Sequence, residues 1–570
     1  MKKITLGLIL SSTLLYTTPS FSESNITNVA TTIKSHLNNK QTCSDKLRCS
    51  SNLTIQFYKK NGYHPVWVKD GKPTDTALKM VDIINNSYLD GLAPENYHSV
   101  QLTRLLNKIK SADDDIQTNK LQANFDTTLT DAFFLYAHDL HYGILSPNKV
   151  FKYWTITPKT INMVALLQDI NKNDNLESAI QEITPKYTGY TKLKAKMNEY
   201  QQVAINTGGW QPIDDGETMK LGEKSNRVYQ LQQRLLMSGE LSEIDKKGKF
   251  TEDVEKAVTL FQQNNGLYDD GEVDDDTLAA LNIPITKRIQ LMEMNLDKMR
   301  WLPENMGEQY IMVNLPEYSL RAVKDNQVQL TMDVAVGGAE HPSCVLSSKI
   351  NNVVLNPYWN LPTSIAGAEL WPKLKTDKNF LAKKHYVVLQ VDPSGTPREV
   401  ANPEQINWKN MTEKEFNRYR FRQDPGKDNS LGKVKFLFAN PCQIYLHDTN
   451  ESEVFDIYKR DFSHGCIRVG EPRKLSYYIL TQQDGWSKRR INSFYKDGKS
   501  QSVALATPIN LYLTYFTSWV SDDDWTQFRT DIYKLDKPAK YKVYLPKKAK
   551  SDDSDDNSSE DEKNSSKDDE

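Results

Sequence analysis

Long apolar runs are missing from this sequence. The stretch Ile4 to Tyr16 has 13 residues, short of the roughly 20 that a bilayer span needs, and no other stretch reaches that length. Flanked by Lys2 and Lys3 and followed by the small-x-small pattern Ser20-Phe21-Ser22, it reads as a cleavable secretory signal covering 1–22, so an exported protein with no membrane span after cleavage is expected. An excess of one charge is also missing: the formal net charge is −2 over 570 residues. The last twenty residues, from Ser551, hold ten acids and two lysines, which leaves +6 on the remainder. A balance that small offers no basic face for nucleic acid. The tail at 546–570 has too few apolar residues to offset the entropy of folding and is expected to be disordered. Cysteine is scarce, with five in all. In an exported chain Cys43 and Cys49 are close enough to form a local disulfide worth about 2 kcal/mol on the chain-entropy account. An odd count leaves one thiol free; Cys466 is the candidate, and the pairing of Cys344 with Cys442 stays open.

What is present divides the chain. Residues 23–205 carry helical, polar-faced segments that end at glycine, such as "TDTALKMVDIINNSYLDG", and read as a helical scaffold domain. Between 215 and 285 the pattern tightens. Val228, Leu231 and Leu235 share one helical face; Val254, Ala257, Val258 and Phe261 share another, stopping at Gly266; a short third helix follows at Thr277 to Leu281. Ala257, Val258, Phe261, Gln262, Gly266, Leu267, Asp270, Gly271, Thr277, Leu278, Leu281 and Asn282 resemble the core pattern of the three-helix peptidoglycan-binding domain. From 308 to 505 the period becomes two. Val328, Leu330, Met332, Val334 and Val336 alternate before a glycine pair; Val434, Phe436 and Phe438, then Ile444 and Leu446, continue the device. A Lys-rich stretch at 366–425 interrupts these strands and reads as a capping insertion over a site. A segment at 506–545 is expected to pack on the scaffold. The fold class is multidomain α+β.

The chemistry concentrates in "KRDFSHGCIRVGEP". A thiol attacks carbonyls as its thiolate and needs a base nearby and donors facing the developing oxyanion. Gly465 permits a sharp turn, so the amides of Gly465 and Cys466 are candidate oxyanion donors. His464 is two residues from Cys466 and reaches the sulfur poorly; His447, at the end of an apolar strand, is the better base. On these residues alone a Cys–His pair and a structural cysteine stand level. Zinc is disfavoured because the C-x-x-C and H-x-x-x-H spacings are absent, and no metal or cofactor is expected.

"IYLHDT" followed by "SHGCIRV" resembles the catalytic motif of the L,D-transpeptidase (YkuD-type) domain, a histidine and then Ser/Thr-His-Gly-Cys-x-Arg. Asp448 stands where many members have glycine. This variant resembles the large periplasmic branch, as do "NPYWNLPTSIA", "SLGKVKFLFAN" and "LYLTYFTSWVSDDDWTQFRTDIY". The resemblance implies a β-rich catalytic domain and a periplasmic enzyme. Cys466 would be the nucleophile and His447 the base, acting on peptidoglycan tetrapeptide stems with meso-diaminopimelate; envelope or wall-synthesis proteins are possible partners. Arg468 is either a fork for a substrate carboxylate or a structural residue. Ser463 and His464 either touch substrate or orient the turn or His447, and Tyr445, Trp359 and Asn360 are cleft residues by family analogy.

Overall fold

The computed structural model describes residues 21–38, 48–111, 115–157 and 159–546. Most of the expected signal segment, Cys43 and the acidic tail lie outside the described residues. The N-terminal region is helical: α1 (Phe21–Asn38), α2 (Ser51–Lys60), a two-stranded ribbon β1 (Val68–Lys69) and β2 (Lys72–Pro73), then α3 (Asp75–Asn85), α4 (Ser99–Lys110), α5 (Asp115–Tyr142), α6 (Met163–Asn173), α7 (Leu176–Ile183) and α8 (Thr188–Thr207). Helix α5 runs through the centre, with Phe125, Leu129, Phe133, Phe134 and Leu140 buried. Its carboxylates are answered at once: Asp126 accepts the Trp67 amide at 2.7 Å, and Asp131 accepts the Ser50 hydroxyl at 2.9 Å, as buried acids require.

Helices α9 (Asn226–Ser238), α10 (Glu252–Asn265) and α11 (Asp275–Leu281) form the next unit around Val228, Leu231, Val254, Val258, Phe261 and Leu281. Gln262 explains several fixed letters of the sequence pattern. Its side-chain amide donates to Glu272 O at 2.8 Å, Asp270 Oδ1 at 3.1 Å and Thr277 Oγ1 at 3.2 Å, and its oxygen accepts the Gly271 amide at 2.9 Å. Helix α12 (Ile285–Arg300) follows as a buried strut packed on α8 and α5.

The β-rich region is built from β3 (Gln309–Asn314), β4 (Ser319–Lys324), β5 (Gln327–Gly337), β6 (Leu346–Leu355), β7 (Trp359–Asn360), β8 (Tyr386–Val391), β9 (Pro397–Glu399), β10 (Tyr419–Gln423), β11 (Val434–Phe438), β12 (Leu446–His447), β13 (Asp461–Ser463), β14 (Ile467–Val469) and β15 (Gln501–Thr514). Nine of them join in the order β13-β5-β14-β12-β11-β6-β15-β3-β4, and β4 pairs back onto β5. The ladder therefore closes on itself, which removes most of its open edge. Val334, Val336, Ile350, Val353, Val434, Phe436, Leu446, Ile467, Val469 and Leu511 fill the inside, and helices Pro472–Leu480 and Lys488–Asp497 add Leu475, Ile479 and Ile491 to that core. The outer end of β5 does not follow its alternation inward, since Val328 is 43% exposed. Strand β15 carries the sheet to Thr514, so the expected boundary at 505 is corrected: it cuts a strand whose last five residues pair with β3.

The insertion is a small folded cap rather than a loop. Strands β7-β10-β8-β9 form their own sheet, and Leu370, Leu374, Trp408, Phe416 and Phe421 form its core, with Trp371 stacked on Phe416 at 4.8 Å. It begins at β7, ahead of the expected 366. After β15, the hairpin β16 (Ser518–Val520) and β17 (Thr526–Phe528) lies against α8, α10 and α12. The chain then reaches the helical region, where Tyr541 donates to Asp297 Oδ2 at 2.7 Å and Lys542 meets Glu95 at 2.6 Å.

Candidate active site

Strand alternation assembles the site. On β11, Val434, Phe436 and Phe438 enter the core and Lys435 is left on the other face; on β14, Ile467 and Val469 enter it and Arg468 is left out, while Cys466, just before β14, is only partly buried at the margin of the core. Register brings these residues side by side. Lys435 is paired with His447 across β11 and β12, His447 with Arg468 across β12 and β14, and the Ile467 amide donates to Tyr445 O at 3.1 Å, which sets Tyr445 opposite Cys466. One face of three adjacent strands thus holds Lys435, Tyr445, His447, Cys466 and Arg468. Cys466 is the free cysteine among the described residues; Cys344 is bonded to Cys442, and Cys49 is also disulfide-bonded.

His447 is buried, and its Nδ1 lies 2.6 Å from the carbonyl oxygen of Asp448. A carbonyl only accepts, so Nδ1 carries the hydrogen and the lone pair sits on Nε2. The ring packs 5.6 Å from that of Tyr445. Burial, with a smaller contribution from the charges of Arg468 and Lys435 and against the Asp448 bond, pushes the imidazole pKa down to about 4. Burial likewise pushes the Cys466 thiol up, while a backbone hydrogen bond from Tyr445 and the charge of Lys435 pull it back. Both partners rest neutral at pH 7 by this balance. Asp448 holds its own peptide in place for His447: its carboxylate accepts the Lys433 amide at 2.6 Å and the Thr449 amide at 2.7 Å, and its N–H donates to Val434 O at 2.9 Å.

The turn before Cys466 is tied down from several sides. Gly465 has φ +102°, a conformation that glycine alone adopts without strain. Ser463 Oγ accepts the Gly465 amide at 3.2 Å and donates to the Cys466 carbonyl at 2.6 Å. Of the two expected oxyanion donors, the Gly465 N–H is thus engaged by Ser463, whereas the Cys466 amide makes no hydrogen bond among the described residues. Ser343, which no motif marks, donates to Gly465 O at 2.7 Å and accepts the Gly337 amide at 2.9 Å. Its own amide donates to Tyr533 Oη at 3.2 Å, and that hydroxyl donates to Gly337 O at 2.7 Å. A side chain at Gly337 would stand 2.1 Å from His341 O and 2.9 Å from Gly465 Cα, so only glycine lets β5 approach the turn this closely.

The remaining expected residues are distributed differently. His464 turns toward the cap, where its Nε2 pairs with Glu369 and its ring stacks on His341 at 5.1 Å. Arg468 is engaged by Glu451 at 3.1 Å and lies over the Phe462 ring at 5.6 Å. Trp359 and Asn360 belong to the cap sheet, paired with Gln423 and Arg422; no ring contact or hydrogen bond links them to Cys466 or His447 among the described residues. Lys435, like Ser343 and Tyr533, is absent from the sequence-based set of site residues. Its signal was a lone lysine at the outward position of an apolar strand. No cluster of metal-ligating side chains occurs among the described residues.

Comparison with known proteins matches three parts of the chain to domain families. Residues 308–485 match the L,D-transpeptidase catalytic domain (YkuD), 224–281 the "Putative peptidoglycan binding domain", and 52–197 the scaffold domain. The chain carries an L,D-transpeptidase catalytic domain, joined to a peptidoglycan-binding domain and a helical scaffold. It is similar to a protein named "Putative L,D-transpeptidase" from Haemophilus influenzae, 33% identical over 258 residues, which is 45% of this chain and 50% of that protein. The match thus spans about half the length of that curated relative. Among solved structures, an L,D-transpeptidase from Mycobacterium smegmatis is 12% identical, with a TM-score of 0.17 over 36% of this chain and 58% of that one. One from Stackebrandtia nassauensis is 13% identical, with a TM-score of 0.21 over 53% and 97%. No helix among the described residues is long and apolar enough to cross a membrane.

Proposed function

We propose that the protein is a periplasmic L,D-transpeptidase that forms 3→3 crosslinks between peptidoglycan stem peptides. Its substrate would be a tetrapeptide stem, with Cys466 attacking the carbonyl of meso-diaminopimelate at the third position. The observation that carries the reading is the Nδ1–H bond of His447 to Asp448 O, which leaves Nε2 as a proton acceptor on the face that holds the free thiol of Cys466. The proton of Sγ passes to Nε2, the thiolate adds to the carbonyl, and the oxyanion is met by the Cys466 amide. The C–N bond then breaks, and D-alanine leaves as its amine with the proton from His447. The side-chain amine of a second stem attacks the thioester, gives a proton back to His447, and releases the thiolate. The peptidoglycan-binding domain supports a wall substrate.

The test is incubation of the full chain with tetrapeptide muropeptides, with products separated by mass. Dimers are expected; tripeptide alone would assign hydrolysis to the same acyl-enzyme, and attachment of a protein lysine would assign anchoring. Cys466→Ala should abolish product, and His447→Ala should come close, since losing a positioned base costs on the order of 10²–10⁴-fold. A carbapenem should add its mass to the wild-type protein and not to Cys466→Ala.

A further inference from the structure

Two cations lie on the thiol's side of the sheet, and they differ in what they touch. Arg468 has a partner in Glu451. Lys435 has no carboxylate or carbonyl acceptor among the described residues; its Nζ lies 5.5 Å from the centroid of Tyr445, the residue opposite Cys466. The groups facing the thiol can be named strand by strand. Lys435 comes from β11, Tyr445 and His447 from β12, and Arg468 from β14, while β5 and β6 bring uncharged Ala335 and Val354 into register beside them. From the cap comes Glu369, bound to His464. No free carboxylate among these balances Lys435. A half-buried ammonium without an anion is poorly solvated. Of the two ionisable groups beside it, burial holds the Tyr445 phenol well above its usual range, which leaves the Cys466 thiol, on the same face of the sheet, as the group that can become its anion.

We propose that Lys435 is the counter-ion of the Cys466 thiolate, a positioning residue that lets the thiol ionise on this face of the sheet. The S–H bond breaks with its electron pair left on sulfur and its proton on Nε2 of His447; Lys435 gives and takes no proton and acts by charge alone. The inference deepens the proposed reaction and rests on Cys466 as its nucleophile, but its test reads the thiol and not the crosslink, so either can fail alone.

The full chain is alkylated with iodoacetamide from about pH 6 to about pH 10, with adducts read by intact mass and Cys466→Ala as the blank. Lys435→Met should move the midpoint of the rate profile up by about one pH unit, the scale of a nearby opposite charge, slowing alkylation about tenfold at neutral pH. Lys435→Arg should keep the wild-type midpoint. Superimposed profiles for Lys435→Met and wild type overturn the proposal. Whether or not that variant folds, the unaltered protein gives a second reading. At low salt Cys466 should favour anionic iodoacetate over neutral iodoacetamide relative to a free thiol, and the preference should fade as salt rises. Absence of any preference at low salt overturns it equally.

Discussion

With its Nδ1 hydrogen given to the Asp448 carbonyl and its ring out of water, His447 takes up a second proton only near pH 4, against 6.5 for an ordinary histidine. Between those values the unfolded chain binds the proton and the folded one does not. Stability therefore rises with pH across that window and is lost as pH falls toward 4, by about 3 kcal/mol for a shift of this size. Urea unfolding at pH 7 and near pH 4.5 should show a steeper acid loss for wild type than for His447→Asn; equal losses would contradict the burial account. The acid limb of kcat/KM should likewise lie near pH 4 and not near 6.5. How far single residues could be read from the sequence depended on what they touch. Cys466 and His447 announce themselves because reactive types stand in a fixed local order. Gln262 announces itself in the module pattern because one amide makes four hydrogen bonds there. Lys435, Ser343 and Tyr533 stand in no motif, since register and long-range hydrogen bonds bring them to the site.

Elements matter here through the two segments that carry the site. The stretch holding Ser343, which grips Gly465, and the stretch leading to Tyr445 and His447 are joined by the Cys344–Cys442 disulfide, 98 residues apart in sequence. A bridge closing a loop of about 100 residues is worth about 4 to 5 kcal/mol on the chain-entropy account. Replacing both cysteines by serine should lower the unfolding free energy on that scale and also slow Cys466 alkylation, because the turn and the base lose their tie. An unchanged midpoint in guanidinium would show that the bridge constrains nothing. The strands themselves were legible from their alternation, but their order was not, because pairing β5 with β14 joins residues more than a hundred positions apart. The glycine pair after Val336 looked like a strand end. Its physical reason is the contact of Gly337 with a turn far along the chain. The cap was foreseen as an insertion, yet its own sheet and aromatic core, and its claim on Trp359 and Asn360, follow from pairings that no local pattern shows.

Across the whole molecule the helical region, the strut α12 and the C-terminal segment meet at buried charge. Asp297 accepts the Ile144 amide at 2.7 Å, the Leu145 amide at 3.2 Å and the Tyr541 hydroxyl at 2.7 Å, beside the buried guanidinium of Arg300. Removing the carboxylate strands that cation and three donors. Asp297→Ala should therefore destabilise the full chain by about 3 to 5 kcal/mol, and calorimetry should resolve a separate transition for the helical region. A single unshifted transition would mean that the junction contributes little. The domain sequence could be read along the chain because period and composition change at each boundary; the junction could not, since its partners come from three separate regions. The catalytic turn also draws on the end of the molecule. Tyr515 donates to Asp531 and accepts the Tyr533 amide, and Tyr533 in turn holds Gly337 and Ser343, which holds Gly465. The unit that holds this site together is therefore longer than the motif-bearing domain. A truncated version that stops after the sheet would keep Cys466 and His447 yet lack the tyrosine brace, and low turnover in such a fragment would report the missing brace and not the chemistry of the pair.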